Sequence, residues 1–76
     1  MSSILKILVD IQCLVYCDFE QVGEAFPNSI LKMELRKGMY IIDFKKDDIN
    51  LKSIKYEIES DDEDYLLEES LANIYI

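Results

Sequence analysis

The most regular stretch of the chain lies between residues 30 and 46, where apolar and polar side chains alternate on both sides of Lys37 and Gly38. The apolar positions are Leu31, Met33 and Leu35 in the first run and Tyr40, Ile42 and Phe44 in the second. Period-two alternation across a short polar turn is typical of a β-hairpin with one buried face. Gly38 is expected to take a positive φ, because it lacks the Cβ that resists that conformation. We expect the rest of the chain to cover the buried face.

Alternation also predicts strands at residues 4–11, 13–19, 20–26 and 51–59. The inward positions of the first two are Leu5, Ile7, Val9 and Ile11, and then Cys13, Val15, Cys17 and Phe19. We expect a bend near Gln12 between them, because strands usually run about five or six residues. One long strand that crosses between sheets is the alternative. Gly23, inside the third strand, indicates a bulge or a close backbone approach.

The tail at residues 65–76 fits either a last strand or one face of a short C-terminal helix, and we favour the strand. Turn candidates at 18–21, 27–29 and 46–50 and an acidic loop at 59–64 separate the predicted elements. About seven short strands, with a turn roughly every eight to twelve residues, predict an all-β fold, a small antiparallel β-sandwich. A chain of 76 residues has room for one domain, which we place over residues 1–76.

The net charge of −8 is concentrated in the last quarter of the chain. The eight basic residues all lie before residue 56, where eight acids balance them, and the other eight acids lie between Glu57 and Glu69. Such a field repels phosphate backbones and anionic lipid, so we expect neither nucleic acid nor a membrane surface as a partner. The bland interpretation is that the acids keep a small domain in solution.

The two cysteines, Cys13 and Cys17, are predicted to be buried small hydrophobes. On a strand, four residues span about 13 Å, whereas a disulfide needs Cα atoms within about 7 Å. A redox or metal pair is the alternative, but two thiolates without histidine leave a zinc shell half empty. Residues 1–17 are apolar but interrupted by Lys6 and Asp10, so we expect no secretory signal. The compartment stays open, and unpaired thiols favour a reducing one such as the cytoplasm.

The residue types argue against catalysis. The chain has no histidine, so the usual general base is missing and no serine or cysteine has a partner to activate it. Gly23 and Gly38 are the two glycines of the chain, which excludes a glycine-rich phosphate loop. We therefore expect no enzyme, no catalytic residues and no cofactor.

The acidic loop is the densest set of titratable groups. Hard cations such as calcium take clustered carboxylate oxygens, and Asp61, Asp62 and Asp64 are the candidate ligands, with Asp47 or Asp48 added if the two turns lie at the same end. The spacing fits no EF-hand loop. We expect no metal site, and keep calcium or carbohydrate binding by this loop as the alternative function.

An ordered set of residues between 5 and 58 resembles a PEGA-type domain, a small β-sandwich module related to the carboxypeptidase regulatory and transthyretin-like folds. The matching residues are Val15, Tyr16 and Asp18 before a turn, Val22 and Gly23 after it, Pro27 in a connection, and Leu35, Gly38 and Tyr40 farther on. Phe19 departs from the pattern, because it stands where the family usually has the turn glycine. The entry to the first motif also departs, since residues 10–12 replace a Pro-Pro-Gly-Ala type sequence. The resemblance implies an accessory or scaffolding domain without an activity of its own, usually appended to a larger protein.

Four apolar residues fall on the faces that alternation assigns to the outside, and they are Leu8, Leu14, Tyr16 and Ile41. Exposed apolar patches usually mark contacts with another protein. The alternative is that a second sheet covers them. We therefore predict a non-catalytic accessory domain that binds a protein or a neighbouring domain through an apolar sheet face or an edge strand, and leave self-association open.

Overall fold

The computed structural model describes residues 1–75, and in this part of the chain it contains strands and no helix. The strands are β1 (Ser3–Val9), β2 (Cys13–Cys17), β3 (Glu20–Ala25), β4 (Leu31–Leu35), β5 (Gly38–Lys46), β6 (Ile49–Ile58) and β7 (Asp64–Glu69). They form a three-stranded sheet in the order β4-β1-β7 and a four-stranded sheet in the order β3-β2-β5-β6. Every pairing is antiparallel except the parallel pair of β1 and β7. The predicted all-β sandwich is confirmed. Within the same residues, no helix has the length and apolarity needed to cross a bilayer.

The predicted hairpin over residues 30–46 is wrong. β4 pairs with β1 in one sheet, whereas β5 pairs with β2 and β6 in the other. The chain therefore crosses between the sheets at Arg36 and Lys37. Gly38, the first residue of β5, does have a positive φ, of 154°. Alternation indicates that a strand buries one of its faces, and β4 and β5 both do so. The pattern therefore predicted the burial of these strands correctly, but it contains no information on which strands pair.

The two hairpins of the structure are β2–β3 and β5–β6, and each is closed by a two-residue turn. The turn residues are Asp18 and Phe19 in the first, with φ of 49° and 69°, and Asp47 and Asp48 in the second, with φ of 52° and 63°. Two-residue turns with positive φ at both positions match the right-handed twist of the flanking strands. None of these residues is glycine, so both turns carry conformational strain.

The core lies between the two sheets. Leu5 and Ile7 of β1, Cys13 and Val15 of β2, and Phe44 of β5 are fully buried, as their alternation predicts. The chain bends at residues 10–12, which confirms the break between the first two strands. The predicted extension of those strands to Ile11 and Phe19 is wrong. Ile11 lies beyond β1 and still packs on the core, whereas Phe19 sits in the turn and is 73% exposed.

Gly23 occupies a crowded position on the edge strand β3. The pairing of β2 with β3 shifts after Val15 and leaves Val22 as an extra residue, a bulge. A Cβ on Gly23 would lie 3.0 Å from Leu31 Cδ1 of β4. The predicted bulge is confirmed, whereas the close neighbour is the Leu31 side chain and not a backbone segment. This contact joins the edges of the two sheets on one side of the sandwich.

The tail forms a strand, as favoured, and then a single turn. β7 covers the first part of the predicted segment, and the backbone N–H groups of Ile74 and Tyr75 donate to the carbonyl of Leu71. Leu71 is fully buried, and Asp10 Oδ1 accepts hydrogen bonds from its N–H at 2.7 Å and from that of Ala72 at 3.1 Å. The tail therefore closes one end of the core. Ile76, the last residue of the predicted tail, lies outside the described residues.

Candidate functional site

The four residues predicted to bind a partner lie on two different surfaces. Leu14 and Tyr16 of β2 and Ile41 of β5 lie on the outer face of the four-stranded sheet. Leu8 lies on the outer face of the other sheet, beside Glu68. All four side chains are half-buried. The structure therefore brings three of them together and separates Leu8 from them.

The centre of this outer face is more polar than the alternation suggests. Asp43 lies between Tyr16 of β2 and Ser53 of β6, and it is only 3% exposed. Its Oδ1 accepts a hydrogen bond from the Ser53 hydroxyl. Lys45 places its Nζ 4.3 Å from the centroid of the Tyr16 ring, a cation–π contact that covers the tyrosine. Part of the apolar surface predicted for this face is thus covered by the chain's own side chains.

The burial of Asp43 is a feature that sequence reasoning missed. In the alternating pattern of β5, Asp43 falls on the outer face, which predicts an exposed carboxylate. The signal in the sequence was an acid enclosed by isoleucine and phenylalanine, Ile42 and Phe44, in an otherwise apolar run. Every buried side-chain nitrogen and oxygen within residues 1–75 has a hydrogen-bond partner. Asp43 is therefore a satisfied structural group in this sheet.

One end of the face is concave and apolar. A cavity of about 310 Å³ is lined by Asp18, Met39, Tyr40, Ile41 and Lys55. Asp18 fixes the rim, because its N–H donates to the carbonyl of Ile41 at 2.8 Å and its Oδ1 accepts from the N–H of Ile41 at 2.9 Å. Met39 is 54% exposed. The floor is thus apolar, and one carboxylate and one ammonium group stand at its rim.

Phe19 follows Asp18 at the tip of the β2–β3 hairpin, next to this cavity in sequence. It is the most exposed aromatic side chain of the described residues, and its backbone has a φ of 69°. A bulky residue with that φ is an outlier, because its Cβ crowds the backbone. We call Phe19, Met39 and Ile41, together with the cavity, the Phe19 surface. Sequence reasoning placed Phe19 both on the inner face of the second strand and in a turn candidate at residues 18–21, and the turn is confirmed.

The acidic loop is held in place by hydrogen bonds to its backbone. Ser3, which is 1% exposed, donates its Oγ–H to the carbonyl of Ser60 at 2.7 Å and accepts from the N–H of Glu63 at 2.9 Å. Asp61 Oδ1 accepts from the N–H of Lys37 at 3.0 Å. The loop is therefore part of the folded structure, tied to β1 and to the crossing between the sheets.

The candidate calcium ligands do not converge. Within residues 1–75, no three acidic or cysteine side chains are grouped so that they could hold one ion. Asp61 faces Lys37, and Asp64 lies 3.6 Å from the ammonium of Lys6. The turn of Asp47 and Asp48 lies at the start of β6 and the acidic loop follows its end, roughly 30 Å away at the usual rise of a strand. The condition under which Asp47 or Asp48 would join the candidate ligands, that the two turns lie at the same end, is therefore not met.

Cys13 and Cys17 lie on the inner face of β2, and both thiols are free and buried. The predicted strand spacing, which keeps the thiols apart, is confirmed. Burial raises the pKa of the Cys13 thiol, an effect that Lys46 opposes and Asp10 reinforces. Burial also raises the pKa of Cys17, and the carboxylate of Asp18 adds to it. Raised pKa values keep both sulfurs protonated near neutral pH, the unreactive form.

Comparisons of the chain with protein-family models, with curated proteins and with solved structures give no match.

Proposed function

We propose that this chain is a non-catalytic accessory domain that binds another protein through the Phe19 surface. The observation that carries the proposal is Phe19 itself. A large aromatic side chain is exposed to water on a backbone conformation that disfavours it. Folding stability gains from neither property, so a contact outside the chain is the reason we infer for both.

The surroundings of Phe19 fit a protein partner that presents an apolar side chain. The cavity, which is lined by the preceding residue Asp18, has the volume for one large side chain, and Met39 adds an exposed, flexible thioether that adapts to the shape of a partner. Asp18 and Lys55 at the rim supply one charge of each sign, which favours a neutral or mixed contact. Aromatic anchors with an adjacent pocket are typical of the residues that dominate protein–protein binding.

We further propose that the domain is of the PEGA-like kind, as the sequence resemblance implies. Several motif residues have a structural role that supports this. Asp18 binds the backbone of Ile41, Gly38 has a positive φ, and the Tyr40 hydroxyl donates to the carbonyl of Arg36 at 2.8 Å. Phe19, which replaces the family's turn glycine, adopts a conformation that suits glycine. The departure is thus a change of side chain on a turn of the same shape.

Site-specific photo-crosslinking in the native cell tests the partner contact. A benzophenone amino acid replaces Phe19, and in a matched control it replaces Lys32, which is exposed on the outer face of the other sheet. We expect a discrete adduct with another protein from position 19 and none of that mass from position 32.

A second substitution makes the result specific to the surface. Met39→Lys, placed in the chain that carries the crosslinker at position 19, is expected to remove the adduct without unfolding the domain, because Met39 is 54% exposed. An adduct that survives Met39→Lys, equal adducts from both positions, or no adduct at position 19 would overturn the proposed contact.

A further inference from the structure

The edge strand β6 is the longest unpaired strand edge of the sandwich. It is a terminal strand of the four-stranded sheet and is paired on one side only, with β5. In residues 1–75, the backbone hydrogen bonds outside the regular strand ladders involve no residue of 49–58. One row of its N–H and C=O groups is therefore open, which is a template for pairing with another strand.

The other three edges carry features that discourage pairing. β3 has the bulge at Val22, β4 is only five residues long, and β7 carries Asp64, Glu68 and Glu69 among its six residues. Bulges, short strands and charges are the devices that protect edges in β-proteins. β6 has ten residues with its single irregularity near its start, opposite Phe44 and Lys45. The part of β6 after Lys52 is therefore regular, and its two charged residues, Lys55 and Glu57, have opposite signs, unlike the acids of β7.

The charges on this part of β6 are complementary to those on a second, antiparallel copy of the same strand. Lys55 and Glu57 are exposed on the same outer face, two residues apart. In described residues the side-chain ion pairs are Lys6–Asp64 and Lys52–Glu69, so neither Lys55 nor Glu57 has a partner among them. If two copies of β6 pair antiparallel about a two-fold axis at Tyr56, each Lys55 lies opposite the Glu57 of the other copy.

Neighbouring registers are worse. Residues opposite each other in the two copies must both point to the inner face or both to the outer face of the joined sheet. The two-fold axis therefore has to pass at a residue of β6 and not between two residues. An axis at Lys55 sets two lysines opposite each other, and an axis at Glu57 sets two glutamates opposite each other. Like charges directly opposite destabilise a strand pair. An axis at Ile54 creates no opposite-charge pair. The register centred on Tyr56 is the one that makes two ion pairs and no like-charge pair.

From the open edge and its charges we propose that two copies of this chain form a symmetric dimer through antiparallel pairing of β6, centred on Tyr56. The two four-stranded sheets then join into one sheet of eight strands. The acidic edge of β7 keeps the three-stranded sheets from pairing in the same way. The dimer uses a strand edge and shares only Lys55 with the Phe19 surface. The mass of the chain alone tests it without the partner of the proposed function, so the two proposals can fail separately.

Sedimentation equilibrium from 1 µM to 1 mM chain, in about 0.15 M salt to screen the net charge, tests the dimer. The expected mass rises with concentration from 8.9 kDa to twice that value. Lys55→Glu alone and Glu57→Lys alone each place like charges opposite each other and are expected to weaken dimerisation at least tenfold. The double variant Lys55→Glu/Glu57→Lys exchanges the charges and is expected to restore it.

The control is Lys32→Glu, which makes the same charge change as Lys55→Glu on the other sheet and is expected to leave the dimer unchanged. All three positions of change are exposed, and urea unfolding of each variant checks that it folds. A wild-type chain that stays at 8.9 kDa up to 1 mM would overturn the proposal. A dimer that ignores the single charge reversals, or is not restored by the double one, would overturn the β6 interface.

Discussion

At the scale of single residues, the least favourable backbone conformation of the chain belongs to Phe19. The residue has a φ of 69° and buries little of its side chain. Glycine takes that conformation without a Cβ penalty, so Phe19→Gly is expected to raise the free energy of unfolding by about 1 kcal/mol. Urea denaturation measures it. Phe19→Ala is the matched control, because it removes the ring and keeps the Cβ, and it is expected to stay within about 0.5 kcal/mol of wild type. A destabilised Phe19→Gly chain would contradict a strained, functionally retained phenylalanine.

Gly38 is the opposite case, because here a positive φ is adopted by a glycine. Its φ of 154° is disfavoured for any residue with a Cβ, although the space itself is open, since the nearest atom to an added Cβ is Tyr40 Cε2 at 3.9 Å. Gly38→Ala is expected to lower the free energy of unfolding by about 1–3 kcal/mol through backbone strain alone.

Gly23→Ala is the comparison for this backbone effect. Gly23 has no positive φ, and its added Cβ would meet only the end of the flexible Leu31 side chain. A smaller loss is expected there than at Gly38 in the same urea titration. Equal losses at the two glycines would contradict a separate backbone penalty at Gly38.

At the scale of elements, Ser3 anchors the acidic loop to β1. Its hydroxyl is buried and bonded to the backbone of Ser60 and Glu63. Ser3→Ala leaves both backbone groups without their partner and is expected to lower the free energy of unfolding by about 1–3 kcal/mol. The neighbouring Ser2 donates only to the exposed carboxylate of Glu34, so Ser2→Ala is expected to change it by less than about 0.5 kcal/mol. If the two variants unfold at the same urea concentration, the loop is not anchored by Ser3.

The elements also show how far sequence patterns reach. Strands β1 and β2 and their buried faces followed from alternation, because a two-sheet sandwich buries one face of each strand. β7 was favoured as a strand over a helix, with no buried face assigned to it. The pairing of β4 and of β7 with β1 did not follow, since these pairs join residues some 24 to 60 positions apart. No local pattern encodes the partner of a strand, so the hairpin at residues 30–46 was an error of pairing only.

The candidate site was less predictable than the fold for a related reason. Tyr16 and Ile41 were assigned to an outer face correctly, but the cation that covers Tyr16 comes from Lys45 on the next strand. Phe19 was placed both at the end of the second strand and in the turn candidate at residues 18–21, and only the turn is correct. Burial by a neighbouring strand and the position of a turn both depend on tertiary structure, and they decide which apolar residues are available to a partner.

At the scale of the whole molecule, stability is expected to fall in alkaline solution. Burial raises the pKa values of Cys13 and Cys17 above the ordinary thiol value of 9.0. Between that value and the folded-state pKa, the unfolded chain loses thiol protons that the folded chain retains, so the free energy of unfolding decreases as pH rises. Below about pH 9 the thiols leave it unchanged.

Urea midpoints at a series of pH values from 7 to 11 measure this loss. In a Cys13→Val/Cys17→Val chain the decrease is expected to begin later. The decrease that remains is expected from Tyr56, because burial raises its pKa above the ordinary 10.0 and the unfolded chain then ionises this hydroxyl before the folded chain does. A wild-type midpoint as high at pH 10 as at pH 7 would contradict burial of the thiols.

We propose above all that the folded domain exposes an apolar surface around Phe19, to which a partner binds. Fluorescence of a hydrophobic dye added to the folded chain, below the urea transition, tests it most directly. We predict enhanced fluorescence with wild type and its loss in Phe19→Ser/Met39→Lys. Leu66→Ser should retain it, because Leu66 is 55% exposed on the other sheet. If the dye shows no enhanced fluorescence with the folded wild-type chain, the Phe19 surface is not exposed, and the proposed partner contact is contradicted.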